Sequence, residues 1–232
     1  MTLTQLGPPL ARGRTAEVYA WGDGQVLKLL NAGWPANWVA YEAQVARAVH
    51  ESGAPVPAVG EVIELAGRLG LIYERVDGPS LLQRIQARPW TSLAAGSLLA
   101  ELHVGLHAKR APSLPSQRER LLERIRRAPA LPPDLRTRAL SALQALPDGD
   151  RLCHGDFHPA NVLITAHGPV IIDWVDAVRG NPLADVARTL VLLGGPLPPG
   201  TPVRPLLQAL RGAFVAAYRR RGRRPARYGR NA

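Results

Sequence analysis

Strand patterns dominate up to about residue 75 and helical spacing dominates beyond it, which restricts this chain to α+β architectures. In the first part, residues 14–20 and 25–30 read as two strands around the tight turn Gly22-Asp23-Gly24. Residues 36–51 suit a helix that stops near Gly53 and Pro55, and two more strands follow at 60–65 and 70–74. In the second part, helices are expected at 93–108, 117–127, 135–146, 184–193 and 205–218. One stretch there changes period: 162–165 and 170–173 form an apolar hairpin around His167-Gly168-Pro169. The expected organisation is a strand-rich lobe (1–75), a helical lobe (76–218) with a cleft between the two, and an arginine-rich tail (219–232) with no packed structure.

Composition narrows the class. With 232 residues, 46% hydrophobic and 20% charged, the chain reads as globular and long enough for two modest lobes. Its single cysteine, Cys153, excludes an internal disulfide and a cysteine-built metal cluster. There is no apolar run near the roughly 20 residues of a membrane span, and no secretion signal at the start, so a cytoplasmic protein with no membrane partner is expected. The net charge of +11 is uneven, because the tail alone holds seven arginines: 219, 220, 221, 223, 224, 227 and 230. That tail suits either a solvated terminus, the preferred reading, or contact with an anionic partner such as nucleic acid. Only two basic residues are lysines, Lys28 and Lys109, so a lysine inside an apolar strand stands out.

The strongest chemical signal is His154-Gly155-Asp156-Phe157-His158-Pro159-Ala160-Asn161, followed twelve residues later by Asp173. Asn161 opens the first strand of the hairpin and Asp173 closes its second, so both are brought to one end. They are oxygen ligands of the kind Mg²⁺ prefers. Asp156 has no ligand duty in that arrangement and is free to accept a proton. Polar residues beside the apolar runs 162–164 and 170–172 are costly unless they serve a purpose.

These residues carry a resemblance. His154-x-Asp156-x-x-x-x-Asn161 with Asp173 resembles the catalytic and metal-binding loops of the aminoglycoside phosphotransferase family, small-molecule relatives of the protein kinases. Ile172-Asp173-Trp174, where protein kinases carry Asp-Phe-Gly, is similar to the small-molecule branch. The resemblance spans residues 13 to about 190. It implies a two-lobed protein-kinase-like fold and ATP-dependent, Mg²⁺-assisted transfer of the γ-phosphoryl group to a hydroxyl of a small molecule. Asp156 is then the catalytic base, with Asn161 and Asp173 the metal ligands.

The front lobe agrees with it. Lys28 lies in an apolar strand, and Glu42 lies on the apolar stripe of the 36–51 helix with Val39, Val45, Ala46 and Val49. Each is expensive to bury alone, so a pair is expected, as in kinases where it holds the α- and β-phosphates. Gly13-Arg14-Thr15-Ala16 would line a phosphate with backbone N–H groups and the Thr15 hydroxyl, although it carries one glycine where protein kinases carry three. Residues 71–78 match the inter-lobe hinge, where main-chain groups of Glu74 and Val76 would hold the adenine.

Other polar residues have plainer readings. His103 and His107 share one helix face without the glutamate of a zinc-protease pattern, and are expected to pack structurally near the catalytic loop. His154 is expected to brace that loop, Cys153 to fill core space, and Asp185 to fix local structure. Asp176, helped by Glu119 or Glu123, is the remaining acid near the acceptor. A neutral or weakly charged hydroxyl compound is therefore expected there in preference to a polycation. A nucleotide-binding protein without turnover is the alternative, opposed by the complete Lys/Glu/Asp/Asn/Asp set.

Overall fold

The computed structural model describes residues 3–195 and 204–222. It divides into two compact units, Met1–Ser80 with Asn161–Val175, and Leu81–Ala160 with Asp176–Ala232.

The first unit is built on a five-stranded antiparallel sheet of β1 (Ala11–Arg12), β2 (Ala16–Trp21), β3 (Gln25–Leu30), β4 (Val59–Leu65) and β5 (Arg68–Glu74), in the order β1-β2-β3-β5-β4. Alternation along β3 sorts its side chains between the two faces. Leu27 and Leu29 join Tyr19, Leu65, Ile72 and Leu6 on one side. Leu30 lies on the other with Leu71 and with Val39 and Ala43 of α1 (Ala36–Glu51). Burying each such side chain stabilises the fold by about 1.5–3 kcal/mol. Lys28 alternates with Leu27 and Leu29, so it falls on the face that α1 covers. The short strand β1 lies outside the sequence reading, since two residues carry no period.

The hairpin β7 (Val162–Thr165) and β8 (Gly168–Ile171) belongs to this unit, although the sequence sets it among helices. Backbone bonds explain why: Ile164 N donates to Pro79 O at 2.9 Å, Ile171 N donates to Pro55 O at 2.7 Å, and Leu163 bridges to Ser80. The turn is tighter than expected, with Thr165 facing Gly168 across two residues. Strand β8 ends at Ile171, so Asp173 lies just beyond it.

The second unit holds α2 (Leu81–Ala87), α3 (Ser92–His107), α4 (Gln117–Arg127), α5 (Pro133–Ala145), α6 (Pro182–Leu193) and α7 (Arg204–Gly222), with the two-stranded ribbon β6 (Arg151–Cys153) and β9 (Val178–Gly180). Its core is the packing of α3 on α7. Leu99, Ala100 and Leu106 are buried there with Leu210, Phe214 and Ala217. Gly96 makes the crossing close, since a Cβ there would collide with the Leu210 carbonyl. Strands β6 and β9 escape a periodicity reading because each has three residues.

The expected unstructured tail needs one correction. Helix α7 runs on to Gly222, and Arg221 pairs with Glu101 of α3 at 2.9 Å, so residues 219–222 are helical. Arg223, Arg224, Arg227, Tyr228 and Arg230 lie outside the described residues. Among the described residues no helix is long and apolar enough to cross a membrane.

Candidate active site

In the first unit the sheet register builds an ionic centre. Lys28 pairs directly with Leu71 across β3 and β5, and Tyr73 pairs with Val26, one diagonal step away on the same face. Helix α1 lays Glu42 over this face. The Lys28 ammonium donates to Glu42 Oε1 at 2.7 Å and to Asp173 Oδ1 at 3.1 Å. The Tyr73 hydroxyl donates to the same Glu42 oxygen at 3.1 Å. Glu42 is only 4% exposed, so it could not persist without these donors. Burial disfavours the Lys28 ammonium, but Glu42 and then Asp173 outweigh it and hold its pKa above the ordinary value. Burial and the Glu42 charge together push Tyr73 well above the usual phenol range.

Asp173 has φ 63°, in the left-handed region that aspartate tolerates better than most residues. Ile172 N donates to Asn161 O at 3.0 Å, which ties the two expected metal ligands to one end of the hairpin. Asn161 is buried and Asp173 half-exposed, and both offer hard oxygen atoms. That donor set fits a divalent cation of the Mg²⁺ kind.

The Gly13-Arg14-Thr15 loop joins β1 to β2 in a tight turn, with Gly13 N donating to Ala16 O at 2.8 Å. Asn31, absent from the sequence reading, pins it from β3's end: its Nδ2 donates to Arg14 O at 3.0 Å, and its N to Thr15 O at 2.9 Å. Glu74 ends β5, its N donating to Ala58 O and its carboxylate accepting from Ala58 N, both at 2.9 Å. Val76 follows it in the segment leading to α2, two residues beyond the end of β5.

The second unit supports the loop that carries Asp156. Asp185, on α6, is 1% exposed and takes the loop's backbone donors: His154 N at 2.8 Å and Gly155 N at 2.9 Å. His103 Nε2 and His107 Nε2 converge on its Oδ2 at 2.9 and 3.2 Å, and the Tyr218 hydroxyl meets His107 Nδ1 at 2.8 Å. Burial works against the Asp185 charge, yet the His103 and His107 hydrogen bonds hold its pKa well below the carboxylate range. Burial pushes His103 down to about 4, which keeps it neutral. These three side chains have the types and proximity of a metal site, within 4.8 Å of one another. Their Nε2 and Oδ2 atoms are spent on each other and on the loop, so the cluster is a brace. Cys153 is buried beside it, its thiol pushed up by that burial.

Gly155 has φ 76°, and a Cβ there would collide with the Asp176 carbonyl, so only glycine fits this turn. Asp156 N donates to His154 Nδ1 at 3.2 Å. The Asp156 carboxylate lies 3.5 Å from His158 Nε2 and 3.3 Å from Arg188 Nη2. The His158 hydrogen bond outweighs partial burial, and with Arg188 it holds Asp156 below its usual pKa. Arg188 also donates to Gly155 O. Sequence reasoning missed Arg188, because a lone arginine on an amphipathic helix carries no spacing signal. It also placed Glu119 and Glu123 beside Asp176, where the structure places Arg120 and Arg124 at 3.4 and 2.5 Å.

Comparison with known proteins decides the family. The model of the phosphotransferase enzyme family, APH, matches residues 7–228. The chain belongs to this family. A search of curated proteins finds no match. Among solved structures, amicoumacin kinase hAmiN in complex with AMP-PNP, Ca²⁺ and Ami superposes with a TM-score of 0.61 at 18% identity, covering 94% of this chain and 73% of that one. A thermostable mutant of aminoglycoside phosphotransferase APH(4)-Ia, in ternary complex with AMP-PNP and hygromycin B, gives 0.60 at 20% identity, covering 93% and 77%. An aminoglycoside-3'-phosphotransferase of type VIII gives 0.58 at 24%, covering 92% and 90%. The APH fold is thus shared across nearly the whole of this phosphotransferase.

Proposed function

We propose that this APH-family phosphotransferase moves the γ-phosphoryl group of ATP to a hydroxyl of a small molecule, with Mg²⁺ held by Asn161 and Asp173. The observation that carries this reading is the Lys28–Glu42 ion pair, closed by Asp173 at 3.1 Å from the same ammonium. It sets a fixed cation beside a hard-oxygen donor pair, which is what a polyphosphate needs. Residues 1–75 take the nucleotide and residues 76–218 the acceptor.

Each residue then has a task. The Lys28 ammonium, positioned by Glu42, donates to nonbridging oxygens of the α- and β-phosphates. Backbone N–H groups of Arg14 and Thr15, in the turn closed by Gly13, and the Thr15 hydroxyl cover the phosphates. Main-chain groups of Glu74 and Val76 hold the adenine. Asn161 and Asp173 would hold Mg²⁺, which would supply positive charge against the phosphates. The acceptor oxygen forms a bond to the γ-phosphorus as the bond to the β,γ-bridging oxygen breaks, and the acceptor proton passes to Asp156. A carboxylate with a lowered pKa suits a loose transfer in which the proton leaves late and the base chiefly orients the hydroxyl. Two donor-bearing neighbours, His158 and Arg188, fix its orientation.

Titrating Mg·ATP into two variants tests the division of roles. Asp156→Asn should bind Mg·ATP about as well as the parent and lose about 100-fold or more in transfer. Asp173→Ala should lose Mg²⁺-dependent nucleotide binding as well. Equal loss of binding in both would contradict these assignments.

A further inference from the structure

The hollow next to Asp156 is basic. It is an open hollow of about 80 Å³, and its lining includes Arg120, Arg124, Arg188, Gly155 and Asp176. Arg120 and Arg124 stand four residues apart on α4, so both guanidiniums look the same way, and Arg188 reaches in from α6. All three converge on one carboxylate, Asp176, at 3.4, 2.5 and 3.6 Å. Of the acids on α4, Glu123 is turned to Arg127 at 2.8 Å. Asp185 also lines the hollow, its carboxylate held by N–H groups from the loop and the histidines, so three guanidiniums face two carboxylates in the lining. The lining therefore keeps one positive charge in excess, and Arg188 is shared to Asp156 at 3.3 Å.

We infer that the acceptor is anionic: a small hydroxyl compound whose carboxylate or phosphate group seats among Arg124, Arg188 and Arg120 while its hydroxyl meets Asp156. The inference rests on the kinase reading above and sharpens its acceptor. Guanidinium forks match carboxylate and phosphate oxygens in pairs, and three of them line this hollow against two carboxylates. Because Arg188 touches both Asp176 and Asp156, the anionic group and the reacting hydroxyl are separated by about one guanidinium. The acceptor therefore carries its hydroxyl only a few bonds from its charge. A polycation would face three like charges at the same place, which is selection by repulsion. This goes beyond the expectation of a neutral or weakly charged acceptor, which rested on the net charge and the acids of the whole lobe and did not place Arg120, Arg124 and Arg188 around Asp176.

The test loads the protein with Mg·AMP-PNP, so that the γ-phosphate position is filled, and titrates in inorganic phosphate, glycerate, glycerol and kanamycin. Phosphate and glycerate should bind saturably, at least about tenfold tighter than glycerol or kanamycin. Arg124→Gln and Arg188→Gln should each weaken both anions about tenfold, the scale of one charge-assisted hydrogen bond. A stronger response to phosphate than to glycerate identifies a phosphate-bearing acceptor, and the reverse a hydroxy acid. Anion binding no tighter than that of glycerol, or unchanged in both variants, overturns the inference while leaving nucleotide loading, and the kinase reading, intact. Failure of AMP-PNP to bind contradicts the kinase reading instead, and the phosphate titration on the unloaded protein then still decides the anion site.

Discussion

Lys28 and Glu42 show how far a single charge can be read from sequence. Strand alternation puts Lys28 on the α1 side of β3, and the helical stripe puts Glu42 toward the sheet, so their meeting at 2.7 Å follows from two periodicities. Tyr73 is different: its bond to Glu42 depends on the β3–β5 register, which no local pattern encodes. Lys28→Met should cost about 3 kcal/mol by leaving Glu42 buried without its cation. Adding Glu42→Gln should restore part of it, and urea unfolding of the two single variants and the double variant measures that coupling. In both backgrounds Mg·ATP affinity should fall, because Lys28 is the proposed phosphate contact. Independent, additive losses of stability would contradict the pairing.

At the scale of elements, helices α1, α3, α4, α5, α6 and α7 were legible because each repeats an apolar stripe over at least eleven residues and has proline or glycine near an end. The pieces that escaped are short or built from distant partners: β1, the β6–β9 ribbon, α2, and the attachment of the β7–β8 hairpin through Pro55 and Pro79. The Asp185 brace lay half in view. The i,i+4 pair His103 and His107 was recognised as structural, yet its convergence with the His154 and Gly155 amides on one carboxylate spans about eighty residues of sequence. Two changes test these elements. Gly96→Ala drives a methyl into the Leu210 carbonyl at the α3–α7 crossing and should destabilise the protein by about 1–3 kcal/mol, read as a lower Tm. Asp185→Ala leaves the His154 and Gly155 amides without their acceptor, at about 1–3 kcal/mol each. It should lower transfer more than Mg·ATP affinity, because the loop it supports carries Asp156. An Asp185→Ala protein with parental Tm and transfer rate would remove the brace from the account.

For the whole molecule, the buried cluster sets how stability responds to acid. His103 titrates near 4 in the fold against about 6.5 unfolded, so the unfolded chain binds the extra proton between those values. Asp185, with its pKa held down, adds a loss of the same sign on further acidification. Stability should be full above about pH 6.5 and fall as pH drops toward 4, with His103 alone contributing on the order of 3 kcal/mol. Chemical unfolding at a series of pH values reads this directly, and His103→Gln should flatten the slope in that window. The central claim is that the chain transfers phosphate from ATP with Asp156 as base. Phosphorus NMR of Mg·ATP with glycerate or glycerol 3-phosphate follows that event itself. The account predicts that the γ-phosphate signal is replaced by that of a new phosphate ester on the acceptor, and that Asp156→Asn slows this about 100-fold or more with nucleotide binding unchanged. No ester from the parent protein, or an ester formed equally fast by Asp156→Asn, would contradict it.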